Sequence, residues 1–98
     1  MNKFMVEFDL PSPLTVDFFS SIPGQHYAVE KLMTAGIIMS YTLSADQSKL
    51  WIIMTADSED ELVRLLGTLP LTTFMTSRTY PLAFHNIGAF RMPQTILN

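Results

Sequence analysis

The sequence contains no cysteine and few basic residues, and both absences limit what the protein can be. Without cysteine there is no disulfide framework, no thiolate metal site and no cysteine nucleophile. Only six residues are Lys or Arg and the net charge is −3, so nucleic acid is not expected as a partner. Residues 1–9 lack the features of a signal peptide, and no apolar run approaches the roughly 20 residues of a membrane span. We therefore expect a cytoplasmic protein with no membrane partner.

Apolar side chains are abundant for so short a chain. Hydrophobic residues make up 48% of the 98 positions, with seven Phe and seven Met, whereas charged residues make up 15%. A chain of this length is expected to form a single domain, residues 1–98. Such a domain buries only about 60–65% of its unfolded surface. We therefore expect apolar surface to be buried against a second subunit, with a methionine-rich monomer core as the alternative.

Two hydrophobic periods divide the chain into strands and helices. Alternation or a β-prone composition marks the predicted strands, at residues 3–9, 37–44, 50–56 and 72–80. Spacings of three and four mark the predicted helices, at residues 15–35, kinked or split at Pro23-Gly24, and from Asp57 or Ser58 to Gly67. This order is that of an α+β, ferredoxin-like βαββαβ sandwich, in which two helices cover one face of a four-stranded antiparallel sheet. The other face would pack against the sheet of a second subunit.

The end of the chain, residues 86–98, has many apolar side chains but no clear period. A free tail of this composition would expose apolar surface to water. We predict that this C-terminal extension contacts a neighbouring subunit, and a partly ordered terminus is the alternative.

The second half of the chain resembles a known family. The matching positions fall in one ungapped register and include Leu65-Leu66, Leu69-Pro70-Leu71, Phe74-Met75, Pro81-Leu82-Ala83 and His85. This order resembles the C-terminal half of muconolactone isomerases. In that family a helix ending in Leu-Pro-Leu is followed by an aromatic-Met strand, Pro-Leu-Ala and a His. The resemblance implies sheet-to-sheet dimers that form an α+β barrel. It also implies an isomerase or lyase without metal or cofactor, which moves protons on a small hydrophobic or lactone-type acid.

The first helix departs from this family. Muconolactone isomerases have a charged Arg-Glu-Lys run where this chain, aligned by distance from Gly36, has Gly24-Gln25-His26. A lactone isomerase moves a proton next to a carbonyl and stabilises an enolate-like charge. The obvious groups for both tasks are absent here, and His26 replaces only one of them.

His26 and Glu30 are the first candidates for chemistry. They are four residues apart, which places them on one helical face. We predict that His26 is a catalytic acid and base and that Glu30 orients its imidazole. The alternative is an exposed polar pair on the helix surface. Two such ligands make an incomplete metal site, so no metal is expected.

Arg78 is the only charge in its predicted strand, where it shares a face with Thr76 and Tyr80. If that face is buried, the guanidinium needs a partner. We predict a catalytic contact with the carboxylate or enolate of a substrate. The alternatives are a salt bridge to Glu7 or Asp9 and an edge residue that stays wet.

Tyr41 and His85 are predicted to line the pocket. Alternation groups Tyr41 with Ile37, Met39 and Leu43, and core packing is its alternative role. His85 corresponds to the family's His after Pro-Leu-Ala, and its alternative role is structural, at the end of the last strand.

These observations leave three functions in order of preference. The first is the isomerase or lyase described above. The second is a non-catalytic module for small-molecule binding or assembly, which the lost charges and the apolar composition favour. The third is a haem-binding or haem-degrading relative with His26 or His85 as axial ligand, which the small number of basic residues for haem propionates disfavours.

Overall fold

The computed structural model describes residues 2–86 and 88. Its strands are β1 Asn2–Asp9, β2 Ile38–Leu43, β3 Lys49–Ala56 and β4 Thr76–Leu82. Its helices are α1 Val16–Ser20, α2 Ile22–Thr34, α3 Glu59–Leu66 and a 3₁₀ helix, Pro70–Phe74. The strands pair antiparallel in the order β2-β3-β1-β4. The predicted α+β, ferredoxin-like fold, of the kind that builds dimeric α+β barrels, is confirmed.

The core lies between the helices and one side of the sheet, which we call the helix face. Alternate residues of the two central strands fill it and are at most 3% exposed: Phe4, Val6 and Phe8 from β1, and Leu50, Ile52 and Met54 from β3. The apolar stripe of α3 covers them with Leu62, Leu65 and Leu66. Burying one such side chain contributes roughly 1.5–3 kcal/mol, so this layer provides most of the driving force for folding.

Side-chain caps begin two helices. The backbone N–H of Phe18 donates to Thr15 Oγ1, and that of Glu61 donates to Ser58 Oγ, each over 3.1 Å. A cap of this kind satisfies an otherwise unpaired N–H of the first turn. Both caps lie at residues that the sequence predicts for the starts of the helices.

The first helical region is split, but not where the sequence predicts. The break falls at Ser21, and Pro23 stands in the first turn of α2. Proline is tolerated there because its missing N–H would have no partner within the helix. At the other end Gly36, with a φ of 76°, follows the last turn of α2 and ends it as expected.

The last strand begins later than predicted. Residues 70–74 form the 3₁₀ helix, and β4 starts at Thr76 rather than at Thr72. The Thr72 hydroxyl donates to the carbonyls of Leu69 and Leu66, over 2.8 and 3.1 Å, and these bonds stabilise the turn over a strand conformation. β4 is an edge strand, which explains why it accommodates Pro81.

A β-bulge in β2 decides which of its side chains face the helices. Ile38 and Tyr41 both pair with β3 residues of the helix face, although an odd number of positions separates them. One extra residue in the strand allows this. The predicted alternation from Ile37 and Met39 to Tyr41 therefore fails at the bulge, whereas the predicted grouping of Tyr41 with Leu43 is confirmed. Its neighbours on the helix face are Ile38 and Leu43.

The other side of the sheet, which we call the open face, has two different halves. Register places apolar side chains at one end: Met5, Ile53, Tyr80 and Leu82. It places an ion-pair cluster at the other end: Glu7, Asp9, Lys49 and Arg78. No helix of the described residues covers this face.

Two expectations concern segments beyond these elements. The contact predicted for the extension 86–98 lies outside the described residues, apart from Asn86 and Gly88. None of the helices found in residues 2–86 has the length and apolarity needed to span a membrane.

Candidate functional site

A cavity of about 360 Å³ opens beside the sheet, where α1 and α2 meet β2, β3 and the 3₁₀ helix. Its volume is within the range of small-molecule sites. Apolar side chains form most of its wall, among them Leu14, Phe18, Ile22, Leu43, Leu50 and Met75. Its polar side chains are Gln25, His26, Tyr41 and Gln47.

Gln25 is the buried polar centre of this site. Only 2% of its surface is exposed, and it is the one buried polar residue in the described part of the chain. Its Oε1 accepts from the backbone N–H of Leu71 over 3.0 Å, and its Nε2 donates to Tyr41 Oη over 3.0 Å. Because a backbone N–H can only donate, the bond to Leu71 fixes which end of the amide faces Tyr41.

Tyr41 lines the cavity and carries a neutral hydroxyl. Burial raises the pKa of Tyr41 above its ordinary value, and the hydrogen bond from Gln25 opposes this with a smaller effect. The phenol therefore keeps its proton at neutral pH. Since its oxygen already accepts from Gln25, that proton is available to an acceptor in the cavity.

His26 follows Gln25 on α2 and lines the same cavity, with its side chain exposed to solvent. Glu30 is also exposed and does not line the cavity. Within residues 2–86, no hydrogen bond joins Glu30 to His26. The geometry matches the exposed polar pair that was the alternative, and the role of Glu30 as orienter stays a prediction.

Arg78 lies on the open face, across the sheet from the cavity. Its Nη2 donates to Glu7 Oε2 over 2.6 Å and to Asp9 Oδ2 over 3.2 Å. These are the salt bridges considered as its alternative. The hydrogen bond from Arg78 and, with a smaller effect, the hydrogen bond from Trp51 lower the pKa of the Glu7 carboxyl. The structure does not bring Arg78 together with His26 in one cavity, because consecutive strand residues alternate between faces and Arg78 pairs with the open-face residue Glu7.

His85 does not line this cavity either. Leu82, at the end of β4, pairs with Lys3 at the start of β1, whereas the cavity includes Leu10 just after the end of β1. The two regions are therefore at opposite ends of the sheet. His85 Nε2 is buried and, among the described residues, has no hydrogen-bond partner. Of the two residues predicted to line a pocket, Tyr41 lines this cavity and His85 does not.

Gln25 is the site residue that the sequence reasoning missed. It was noted only as part of Gly24-Gln25-His26, where the family has charges. The available signal was its place in the apolar stripe of α2, four residues before Val29, at 6% exposed, and seven before Leu32. A polar side chain in such a stripe must find partners in the interior.

No three His, Asp or Glu side chains of the described residues lie close enough to form a metal site. The fold and the cavity together define an α+β protein of the ferredoxin-like type with a mostly apolar pocket between helices and sheet. The family model for muconolactone delta-isomerase matches residues 3–87. The chain therefore belongs to the muconolactone delta-isomerase family.

Two solved structures share this fold. The crystal structure of muconolactone isomerase superposes with a TM-score of 0.68 and 17% identity, over 92% of this chain and 97% of that one. The crystal structure of protein Atu4242 from Agrobacterium tumefaciens gives a TM-score of 0.51 and 14% identity, over 84% of this chain and 91% of that one. No curated protein matches the sequence. The structural likeness establishes the architecture.

Proposed function

We propose that this protein is a cofactor-independent isomerase that moves a proton on a small lactone or related hydrophobic substrate bound in the cavity. Membership in the muconolactone delta-isomerase family supports the reaction class. One observation carries the proposal: His26 and Tyr41 line the same mostly apolar cavity. An imidazole can exchange the proton, and a phenol can stabilise the charge that develops.

The reaction would divide between these two side chains. His26 takes a proton from the carbon at one end of the conjugated system, which leaves an enolate, and returns it to the carbon at the other end. The Tyr41 hydroxyl donates to the carbonyl oxygen, where negative charge grows as the enolate forms. The apolar wall strengthens this hydrogen bond because little water competes for it.

Assigning the carbonyl contact to Tyr41 changes the role first predicted for Arg78. Contact with a carboxylate or enolate requires the guanidinium to reach the cavity, and the sheet lies between them. The proposal gives that role to Tyr41. Glu30 remains a candidate orienter of His26, from its place one helical turn away on α2.

Deuterium exchange tests the role of His26. Muconolactone is incubated with the protein in deuterium oxide, and proton NMR follows the ring-proton signals at both ends of the conjugated system. We expect His26→Ala to slow the exchange by about 100-fold or more, in line with the loss of a general base. His85→Ala removes the other imidazole, which lies outside the cavity, and should keep the wild-type rate. Wild-type exchange by His26→Ala would exclude His26 as the base.

A non-catalytic binding module is the second candidate. The apolar wall of the cavity and the neutral Gly24-Gln25 in place of the family's charges favour it. Such a module would bind the lactone without exchanging its protons. The same NMR samples distinguish the two candidates, since bound ligand broadens or shifts its signals whether or not exchange occurs.

We also infer that two copies of the chain pair through their open faces. The helices pack on the helix face, and on the open face Tyr80 is 46% exposed in the single chain, although Ile53 is only 8% exposed. A sheet with one apolar half uncovered is buried by a second sheet in many α+β and β proteins. Pairing of this kind would also bury part of the ion-pair cluster.

A further inference from the structure

The charge around the cavity indicates what kind of molecule it accepts. Among the described residues, no Lys or Arg contributes to its wall. Its hydrogen-bonding groups are the Tyr41 phenol, the amides of Gln25 and Gln47, and the His26 imidazole. A carboxylate that leaves water for an apolar cavity needs a cation or several donors to compensate for lost hydration. Within residues 2–86, the wall does not provide that cation.

Three of the chain's cations are engaged elsewhere. Arg78 and Lys49 form salt bridges with Glu7 and Asp9 on the open face. The Lys31 ammonium lies 5.6 Å from the ring centre of Tyr27, an exposed residue outside the cavity wall. None of these three charges is directed to the cavity.

A fixed negative charge lies next to the cavity instead. A smaller hollow of about 220 Å³ shares Leu10, Leu14 and Gln47 with it and is lined by Asp46. The hydroxyls of Ser48 and Ser44 and the backbone N–H of Ser48 donate to this carboxylate and lower the pKa of Asp46 to about 2. Asp46 is therefore ionised at neutral pH, and this neighbouring side chain offers no attraction to an anion.

The polar contact that remains suits an uncharged acceptor. The backbone N–H of Leu71 orients the amide of Gln25, whose Nε2 donates to the oxygen of the Tyr41 hydroxyl. The phenolic proton is then left for one acceptor within the cavity, such as a carbonyl oxygen. A single neutral donor within apolar walls is enough to orient a neutral ligand.

We propose that the cavity binds a neutral molecule with an apolar body and a carbonyl oxygen, a lactone or ester, and discriminates against the corresponding carboxylate. The carbonyl accepts the proton of Tyr41, and Gln25 is the positioning residue that directs this proton. The inference rests on the proposed use of the cavity as the substrate site.

A matched pair of ligands tests it. Muconolactone carries a free carboxylate, and its methyl and butyl esters keep the lactone but are neutral. Isothermal titration calorimetry at pH 8, where the acid is ionised, measures all three. We expect the better ester to bind at least about tenfold more tightly than the acid, a difference of about 1.4 kcal/mol. Equal or tighter binding of the acid overturns the proposal, and so does a failure of both esters to bind.

Variants test the proposed contact. Tyr41→Phe removes the donor and should weaken ester binding about tenfold, whereas Tyr27→Phe, an exposed phenol outside the cavity wall, should not change it. Gln25→Met should weaken ester binding in the wild-type background and add no further loss to Tyr41→Phe. A merely structural effect of Gln25 would weaken binding equally in both backgrounds. Proton NMR spectra verify that each variant is folded.

The outcomes separate this inference from the proposed function. Tight ester binding without deuterium exchange on any of the three ligands would remove the isomerase and keep the ligand class. Exchange on the acid together with preferred acid binding would keep the isomerase and remove the ligand class. The two proposals can therefore fail independently.

Discussion

At the residue scale, Gln25 connects parts of the fold that are far apart in sequence. It stands on α2, accepts from the backbone at Leu71 and donates to Tyr41 on β2. These contacts span 46 and 16 residues. A buried amide with both ends engaged restricts the packing of the elements it joins, because no other arrangement satisfies the same groups. The cavity wall at Tyr41 therefore depends on the position of the 3₁₀ helix.

Replacing Gln25 should therefore be costly for stability. In Gln25→Met a side chain of similar length can neither accept from Leu71 nor donate to Tyr41, and the Leu71 N–H loses its partner. We expect the free energy of unfolding to fall by about 1–3 kcal/mol, the cost of an unsatisfied buried group, measured by urea denaturation. His26→Met introduces the same side chain at the next, exposed position and should change stability by less than about 0.5 kcal/mol. Equal effects of the two variants would contradict the role of the Gln25 hydrogen bonds.

The residue scale is also where sequence reasoning was weakest. It selected His26 and Tyr41, which the structure places at one cavity, but it joined them to Arg78 and His85, which lie elsewhere. Composition identifies which side chains can do chemistry, but not the face on which they lie. For Arg78 the ion pair with Glu7 and Asp9 depends on strand register, which is a long-range property.

At the element scale, a dense polar network closes the turn between β2 and β3. The Asp46 carboxylate accepts from the Ser44 hydroxyl over 2.7 Å, and from the Ser48 hydroxyl and backbone N–H over 2.7 and 3.0 Å. Gln47 adopts the left-handed backbone, with a φ of 62°. An ionised aspartate is the better acceptor for all these donors, which is why its pKa is lowered.

Stability should depend on pH through this turn. Asp46 has a pKa of about 2 in the folded chain and an ordinary value of 3.8. A lowered pKa stabilises the fold above the ordinary value, and this contribution is lost as the pH falls from about 4 towards 2. We expect Asp46→Asn to lower the melting temperature at pH 7 and to flatten its decrease between pH 4 and 2.

The control for this prediction is Ala45→Ser, a neutral change at the neighbouring exposed position of the turn. It should preserve the wild-type slope of melting temperature against pH. A slope for Asp46→Asn as steep as that of the wild type would show that the turn carries none of the acid sensitivity.

The elements themselves were largely predictable from the sequence, since each strand and helix has its own hydrophobic period. β1, β3 and α3 begin and end within two residues of their predicted limits. The errors fall where local hydrogen bonds compete with propensity. The hydrogen bond of Thr72 favours a 3₁₀ turn over the β conformation that the composition of residues 72–80 suggests. Pro23 stands in the first turn of a helix where it was expected to break one.

At the scale of the whole molecule, the two faces of the sheet have different roles. The helix face supports the core and the cavity, whereas the open face combines an apolar half with paired charges. Each charge in the cluster has an opposite partner, so its burial against a second copy would leave no isolated ion. The sequence predicted one uncovered face, but the division of that face could be seen only once the register was known.

Tyr80→Asp tests the inferred pairing. It places an unpaired charge in the apolar half of the open face, and burying that charge against a second sheet would be unfavourable. We expect the wild type to be at least a dimer by light scattering after size-exclusion chromatography, and the variant to be a monomer at the same concentration. Val63→Asp introduces the same charge on α3, at a residue that is 68% exposed, and should leave the mass unchanged. A monomeric wild type, or dissociation by Val63→Asp, would contradict the pairing.

The bulge in β2 has a consequence for how this family of sequences can change. Ile38 must enter the core, and at the present spacing a regular strand without the bulge would turn Tyr41 towards the open face. A relative with the same spacing but no bulge would thus place the phenol on the other side of the sheet, while every amino acid needed for it was still encoded. Whether a descendant keeps this chemistry therefore depends on the number of residues between Ile38 and Tyr41, and on the bulge, as much as on residue identity.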